Sequence, residues 1–193
     1  MKPLYNTLSS VPFIPFQIVR QLALSQNENI WKALYYDDYD CLSRKNLTQN
    51  QKMNLIWKNQ ANEEDYKIFL KPLIASETTK ATTQLRINKV NMKPLDQYNA
   101  MVLYEFAIIT GYKMAMIDVD GVPVSRIDYL EQQIIKELNG TQLDLSGLGV
   151  FQYNREMDKY SQTNLAISNS KSFFGSTTIL CVMVANFEEN TCG

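Results

Sequence analysis

The sequence contains no histidine, the side chain that proteins use most often as a general base and as a metal ligand. Mechanisms that pair a serine or cysteine nucleophile with histidine are therefore excluded. Cysteine is also scarce, since only Cys41, Cys181 and Cys192 are present and they lie far apart in the sequence. This spacing predicts neither a disulfide framework nor a zinc site. We expect reduced thiols that pack as small apolar groups.

Glycine-rich phosphate loops are missing as well. The nearest approach is Ser146-Gly147-Leu148-Gly149-Val150, which has no third glycine and no following Lys-Ser or Lys-Thr pair. No apolar run approaches the roughly 20 residues that span a bilayer. The first residues lack the apolar core and cleavage site of a signal peptide. We therefore expect a chain made in the cytoplasm, with no cofactor and no membrane partner.

Carboxylates are the remaining candidates for chemistry, and they form two groups. Asp37, Asp38 and Asp40 lie between two predicted helices, whereas Asp118 and Asp120 lie in a predicted turn. Either group could bind a hard cation, but the residues after Asp120 lack the ligand pattern of a calcium loop. Because aspartate is typical of caps and turns, we interpret both groups as structural. The sequence thus predicts no catalytic residue and no metal site.

Charge and hydrophobicity are those of an ordinary folded protein. The 193 residues carry a net charge of −1 and 45% of them are apolar, which disfavours both a disordered chain and a protein that coats nucleic acid. The length suits one hydrophobic core. We expect an N-terminal helical segment over residues 1–60 and a sheet-containing part over 61–193, together forming one continuous structural domain.

Helical spacing continues to about residue 59 and predicts three short helices. Pro15 is expected to open the first helix and Thr48 to cap the third. The apolar face of the second helix is formed by Ile30, Trp31 and Leu34. The apolar face of the third helix is formed by Met53, Ile56 and Trp57.

Extended segments interrupted by one long helix follow. Strands are predicted near residues 66–70, 85–90, 100–110, 148–153 and 177–186. Arg86 and Lys89 indicate a solvated face on the second of these, and Gly111 could bend the third before it continues over 112–117. The polar stretch 75–83 predicts an exposed loop. The polar stretch 154–171 predicts a connection without a strand.

The long helix is predicted from a capping-box pattern that begins at Ser125 and from a glycine stop at Asn139-Gly140. The last strand is expected to be central or covered on both faces, because residues 172–186 contain no charge. The order of elements predicts an α+β fold: short N-terminal helices, then a mainly antiparallel sheet of about five strands with the long helix packed across it.

The arrangement of these segments resembles the small neck proteins of tailed phages, which include head-to-tail connector, head-completion and tail-terminator subunits. The similarity covers residues 30–186. The segments that carry it are Ile30-Trp31-Lys32-Ala33-Leu34-Tyr35-Tyr36, Thr83-Gln84-Leu85-Arg86-Ile87, Val102-Leu103-Tyr104-Glu105-Phe106, Arg126-Ile127-Asp128-Tyr129-Leu130 and Gly147-Leu148-Gly149-Val150.

The resemblance implies a virion structural protein that forms a homo-oligomeric ring, a dodecamer or a hexamer, between capsid and tail. Its partners would be its own copies and the portal or adjacent neck and tail proteins, while DNA would only pass through the channel. Ring contacts need two different surfaces on each subunit, often with terminal arms and loops. The implied interaction residues are Pro3, Leu4, Tyr5, Ser76, Glu77, Thr78, Thr79, Phe187, Glu188 and Glu189.

Two other classes of function remain open from the residues alone. One is an enzyme that uses carboxylates, such as a metal-assisted hydrolase, with Asp37, Asp38 and Asp40 as its site. The other is a monomeric cytoplasmic module that binds another protein.

Overall fold

The computed structural model describes residues 8–59, 63–71, 82–96, 99–145, 148–153, 162–166 and 173–185. Within these residues the helices are α1 (Ile14–Leu24), α2 (Glu28–Tyr35), α3 (Gln49–Asn54) and α4 (Arg126–Leu138). The strands are β1 (Ile68–Phe69), β2 (Gln84–Pro94), β3 (Asn99–Gly111), β4 (Met116–Val119), β5 (Val122–Ser125), β6 (Leu148–Gln152), β7 (Gln162–Ala166) and β8 (Phe173–Ala185). The predicted α+β class is confirmed.

The first and third N-terminal helices begin where the sequence predicts. Pro15 lies at the start of α1, where its missing N–H removes no helical hydrogen bond. Thr48 caps α3, because its hydroxyl accepts from the backbone N–H of Gln51 at 3.3 Å. The Gln51 side chain in turn accepts from the backbone N–H of Thr48 at 2.9 Å. The two bonds form a complete capping box.

The end of α3 differs from the prediction. The helix stops at Asn54, so Ile56 and Trp57 do not extend its apolar face beyond Met53. Ile56 instead forms a parallel bridge with Ile68, and the backbone N–H of Trp57 donates to the Ile68 carbonyl oxygen at 2.9 Å. Pairing with β1 satisfies backbone groups that a further helical turn would have used.

Six strands form one sheet in the order β1-β2-β3-β8-β6, with β7 also paired to β8. All pairings are antiparallel except that of β1 with β2. Strand β8 is central, one of the two alternatives predicted from its lack of charge, because β3 lies on one side of it and β6 and β7 on the other. The mainly antiparallel sheet is confirmed, with one strand more than expected.

Two strands were not predicted. Strand β7 lies in the polar stretch after residue 153, where backbone pairing with β8 forms a strand without an alternating apolar pattern. Strand β5 contains Pro123 and pairs with β4 in a separate two-stranded sheet. The third predicted strand does not continue directly past Gly111. A 3₁₀ turn, Tyr112–Met114, separates β3 from β4.

The predicted solvated face of β2 is wrong at Arg86, which is only 1% exposed. Its guanidinium lies 4.5 Å from the centre of the Phe69 ring and donates to the Gln84 side chain at 3.3 Å. The exposed part of β2 begins at Lys89. Strand β1, shorter than predicted, pairs with β2 at Arg86 and brings Phe69 over it.

The predicted exposed loop over residues 75–83 is wrong at its end. Thr82 and Thr83 are buried, and the hydroxyl groups of Thr83 and Thr110 lie 3.1 Å apart. Residues 75–81 lie outside the described residues.

Helix α4 has the predicted bounds and packs across one face of the sheet against β3 and β8. The hydroxyl of Ser125 accepts from the backbone N–H of Asp128 at 3.3 Å and so caps the helix. Gly140 adopts a φ of 81° beyond the last turn, which is the predicted left-handed stop. The buried side of α4 is formed by Ile127, Leu130, Ile134 and Leu138.

One hydrophobic core joins the N-terminal helices, α4 and the sheet. Trp31 from α2, Tyr104 and Phe106 from β3 and Phe151 from β6 are its largest apolar side chains, each fully buried. In the part of the chain that the structure describes, the helices are too short to cross a bilayer.

Above about pH 10 we expect the protein to lose stability, and Tyr104→Phe to reduce that loss. Burial raises the pKa of Tyr104 far above its ordinary value of 10.0, and its hydroxyl donates to the Val11 carbonyl oxygen at 3.0 Å. Because the unfolded chain ionises first, the stabilisation is complete below pH 10.0 and declines as the pH rises above it.

Urea denaturation at pH 7, 9 and 10.5 would measure this effect. At pH 7 the substitution should cost about 1 kcal/mol through the lost hydrogen bond. If the free energy of unfolding declined equally steeply with pH in the wild type and in Tyr104→Phe, the pH dependence could not be assigned to Tyr104.

Candidate functional site

A pocket of about 320 Å³ opens between α2, the 3₁₀ turn Cys41–Ser43, the β4–β5 turn and the first turn of α4. Its walls are formed by Asn29, Asp40, Leu42, Ser43, Asp118, Val119, Asp120 and Tyr129. The fold thus brings Asp40, from one acidic group of the sequence, to the two aspartates of the other. We call this site the acidic pocket.

The β4–β5 turn supplies two of the three carboxylates. Asp120 and Gly121 have φ values of 52° and 84°, the left-handed conformations of the two-residue turns favoured in hairpins. The predicted turn is therefore confirmed at Asp120, whereas Asp118 lies in β4 and pairs with Pro123 of β5. The backbone N–H of Asp118 donates to the Tyr39 carbonyl oxygen at 2.8 Å, which holds the hairpin against the loop after α2.

A buried arginine fixes the backbone behind the pocket. The guanidinium of Arg126 donates four hydrogen bonds to backbone carbonyl oxygens, each at 2.7 Å. Nη1 donates to Ala33 and Tyr36, Nη2 donates to Asp38, and Nε donates to Met114. Arg126 is fully buried, and this burial lowers its pKa. A single side chain therefore satisfies carbonyl groups from three segments: the end of α2, the loop after it and the turn before β4.

Asp37, Asp38 and Asp40 are about half exposed and paired with cations. Arg44 lies 2.8 Å from Asp38 and 3.2 Å from Asp40, and Lys67 lies 3.1 Å from Asp37. Exposed pairs of this kind each contribute only about 0–1 kcal/mol. The geometry supports a solvated junction between helices at this position.

The hydroxyl of Tyr129 lies on the wall of the pocket and accepts from the Asn29 side-chain amide at 3.0 Å. Burial raises the pKa of Tyr129, and the nearby Asp120 carboxylate adds to the increase. Burial also raises the pKa of the Cys41 thiol behind the pocket, which disfavours the nucleophilic thiolate. Among the described residues, no group of three or more carboxylate or thiol side chains is placed to hold a metal ion.

A second exposed surface runs along the outer side of α1. Phe13, Phe16 and Leu24 are 63%, 38% and 64% exposed, and Arg20 lies between them on the same side. Their spacing of three and four residues aligns them along the helix. We call Phe13, Phe16, Arg20 and Leu24 the α1 stripe. Arg20 is the only charged residue between positions 8 and 27.

The interaction residues implied by the phage resemblance all lie outside the described residues. They are Pro3, Leu4, Tyr5, Ser76, Glu77, Thr78, Thr79, Phe187, Glu188 and Glu189.

Sequence reasoning missed Arg126 and the α1 stripe. An arginine at the start of a helix has no sequence signal that distinguishes burial from exposure, so Arg126 could not have been recognised. The stripe did have a signal, since Phe16 and Leu24 are apolar on the side opposite to the buried residues Ile18 and Val19. A helix that is apolar on both sides has a second surface to cover.

A family model described as YomW matches residues 27–187, which is most of the chain. The match begins in the turn before α2 and extends beyond β8, so it includes the acidic pocket and the whole sheet but not α1. It is compatible with a phage-associated protein and indicates no neck or connector role. No curated protein matches the chain.

Proposed function

The chain belongs to the YomW family, and on this premise we propose that it is a phage virion protein, a ring-forming neck or connector subunit that joins the portal-bearing capsid to the tail. Family membership is compatible with phage association but specifies no such role. Support for the finer assignment comes from the surface of the molecule.

The distribution of exposed apolar side chains is the observation that carries the proposal. The α1 stripe is one group. A second group lies at the end of α2, in the loop after it and between Tyr112 and β5: Tyr35, Tyr39, Tyr112, Met116 and Val122. A third lies on β2, β6 and β8 or directly after β2: Val90, Leu95, Val150 and Met183. Single exposed apolar residues are ordinary, whereas separate groups of aromatic and aliphatic side chains are typical of protein contacts.

A ring subunit needs this kind of surface. Each copy contacts a preceding and a following copy through two different patches, and stacked rings add contacts above and below. The partners in this proposal are further copies of the chain, the portal and the adjacent neck or tail proteins. The net charge of −1 suits a ring wall past which DNA slides without being held. The role requires no catalytic step.

A carboxylate-dependent hydrolase is the second candidate, and the acidic pocket is the observation that favours it. Asp40, Asp118 and Asp120 line a cavity large enough for a small substrate. We rank it second because Asp40 is exposed and paired with Arg44, which neutralises one of the three carboxylates.

Purified particles of the phage that encodes the chain would test the proposal. We expect quantitative mass spectrometry to find the polypeptide at a fixed low copy number, a multiple of six, after a salt wash that removes loosely bound host proteins. A deletion should leave filled capsids and free tails that fail to join. A polypeptide that is abundant in infected cells but absent from washed particles would overturn the virion assignment and favour the hydrolase or a monomeric binding module.

A further inference from the structure

We propose that the α1 stripe of one subunit docks against the acidic end of the next copy of the chain. The acidic end comprises the acidic pocket and two exposed residues beside it: Tyr39, which precedes Asp40, and Val122, which pairs with Val119. This inference rests on the proposed function because it assumes self-assembly, and it goes further by naming the two surfaces that meet.

The acidic pocket and the groove beside the α1 stripe lie next to opposite ends of α4. Tyr129, in the first turn of α4, lines the acidic pocket. Leu143 and Asp144, which follow the end of the helix, line a groove together with Arg20 and Leu24 of the α1 stripe. Tyr129 and Leu143 thus lie toward opposite ends of a helix that is about 20 Å long. Surfaces so placed suit a head-to-tail contact between copies, which is the arrangement that closes into a ring.

Both surfaces offer apolar area for burial. The three apolar side chains of the stripe together expose roughly 300 Å², the size of a patch that is often functional on a monomer. On the acidic end, Tyr39 and Val122 are 49% and 57% exposed. A standard interface buries about 800 Å² on each partner. The stripe would form the centre of such an interface, and the adjacent Gln17 and Gln21 would lie at its rim.

The charges of the two surfaces are complementary. Arg20 makes no ion pair with any described residue, although Asp144 lines the same groove. Asp118 and Asp120 likewise lack an ion pair within the described part of the chain, in contrast to Asp40. Docking would bring the guanidinium of Arg20 to these carboxylates, a pairing that arginine forms with defined geometry. A symmetric contact between two stripes would instead oppose two arginines.

Cross-linking between variants that each carry one introduced, exposed cysteine tests the contact. Leu24→Cys places a thiol on the stripe and Val122→Cys places one on the acidic end, both at exposed positions. The background carries Cys192→Ser, while Cys41 and Cys181 are buried. Each variant, checked for an unchanged circular dichroism spectrum, is concentrated and treated with a short bismaleimide, alone and in an equimolar mixture.

We expect the mixture of Leu24→Cys and Val122→Cys to form a cross-linked dimer at least about tenfold faster than either variant alone, because docking raises the effective thiol concentration. Lys93→Cys is the matched control, because Lys93 is exposed on β2 outside both surfaces. A mixture of Lys93→Cys and Leu24→Cys should cross-link no faster than either variant alone. A chain carrying both Leu24→Cys and Val122→Cys should produce a ladder of higher multimers, since each copy then has a thiol on both sides.

Two results would overturn the inference. Rapid dimerisation of Leu24→Cys alone would show a symmetric contact between stripes, and a mixture no faster than the Lys93→Cys control would show that the two surfaces do not meet. Neither result bears on whether the polypeptide is a component of washed particles. Loss of the docking surfaces and loss of the virion role are therefore separate outcomes.

Discussion

Replacing Arg126 with alanine is expected to lower the free energy of unfolding by about 3–5 kcal/mol. The substitution removes four hydrogen bonds and leaves the carbonyl oxygens of Ala33, Tyr36, Asp38 and Met114 without their charged donor. Buried carbonyl groups that lose their partners cost more than the bonds themselves contributed. Urea denaturation followed by circular dichroism would measure the difference.

Two further variants separate the geometry of Arg126 from its charge. Arg126→Lys keeps the positive charge but cannot present donors in the planar fork that reaches all four carbonyls, so most of the loss should remain. Arg44→Ala is the matched control, because Arg44 bonds two carboxylates but is exposed, and it should cost less than about 1 kcal/mol. Equal effects of Arg126→Ala and Arg44→Ala would contradict the role assigned to the buried guanidinium.

Replacing Trp31 with alanine should also cost about 3–5 kcal/mol. Trp31 is fully buried where α2 meets the rest of the core, and its indole N–H donates to the Leu22 carbonyl oxygen of α1 at 3.0 Å. The buried ammonium of Lys52 lies 5.6 Å from the ring centre and is held by Glu28 at 2.7 Å. The substitution would therefore open a large cavity and disturb the junction of α1, α2 and α3.

The chain has one other tryptophan, which provides an internal comparison. Trp57 is half-buried, with its ring centre 6.0 Å from that of Phe69, so Trp57→Ala should cost about 1–2 kcal/mol. The loss of unfolding free energy in Trp31→Phe should fall between these two values, because phenylalanine retains most of the side-chain volume but cannot donate the hydrogen bond. Thermal unfolding monitored by far-ultraviolet circular dichroism ranks the variants, and a Trp57→Ala loss as large as that of Trp31→Ala would contradict this account of the core.

Local signals predicted the elements that local chemistry specifies. The hydroxyl of Ser125 and the glycine at position 140 define α4, and the capping box at Thr48 defines the start of α3. The charge-free run around β8 predicted a strand that is central or covered on both faces, and the strand is central. Predictions failed where a distant strand intervened, as when Ile68 ended α3 by pairing with Ile56 and when Phe69 covered Arg86.

The candidate surfaces were less predictable than the fold. Both acidic groups were recognised in the sequence, but nothing in their spacing indicated that Asp40 and Asp118 line one pocket. That contact depends on the hairpin bond from Asp118 to Tyr39 and on the Arg126 guanidinium, which join segments distant in sequence. Pair contacts of this kind leave no periodicity in a single sequence.

The sequence by itself determined the α+β class, the helix caps, the central strand and the exclusion of histidine chemistry, because each follows from residue type or from contacts within a few positions. Only the tertiary structure decided that Arg126 is buried, that two acidic groups share a pocket and that the α1 stripe faces away from the core. These features depend on which surfaces cover one another, and coverage is fixed by the packing of distant segments. The absence of histidine excludes whole classes of mechanism, and the α1 stripe and the acidic end are the surfaces that we propose for assembly.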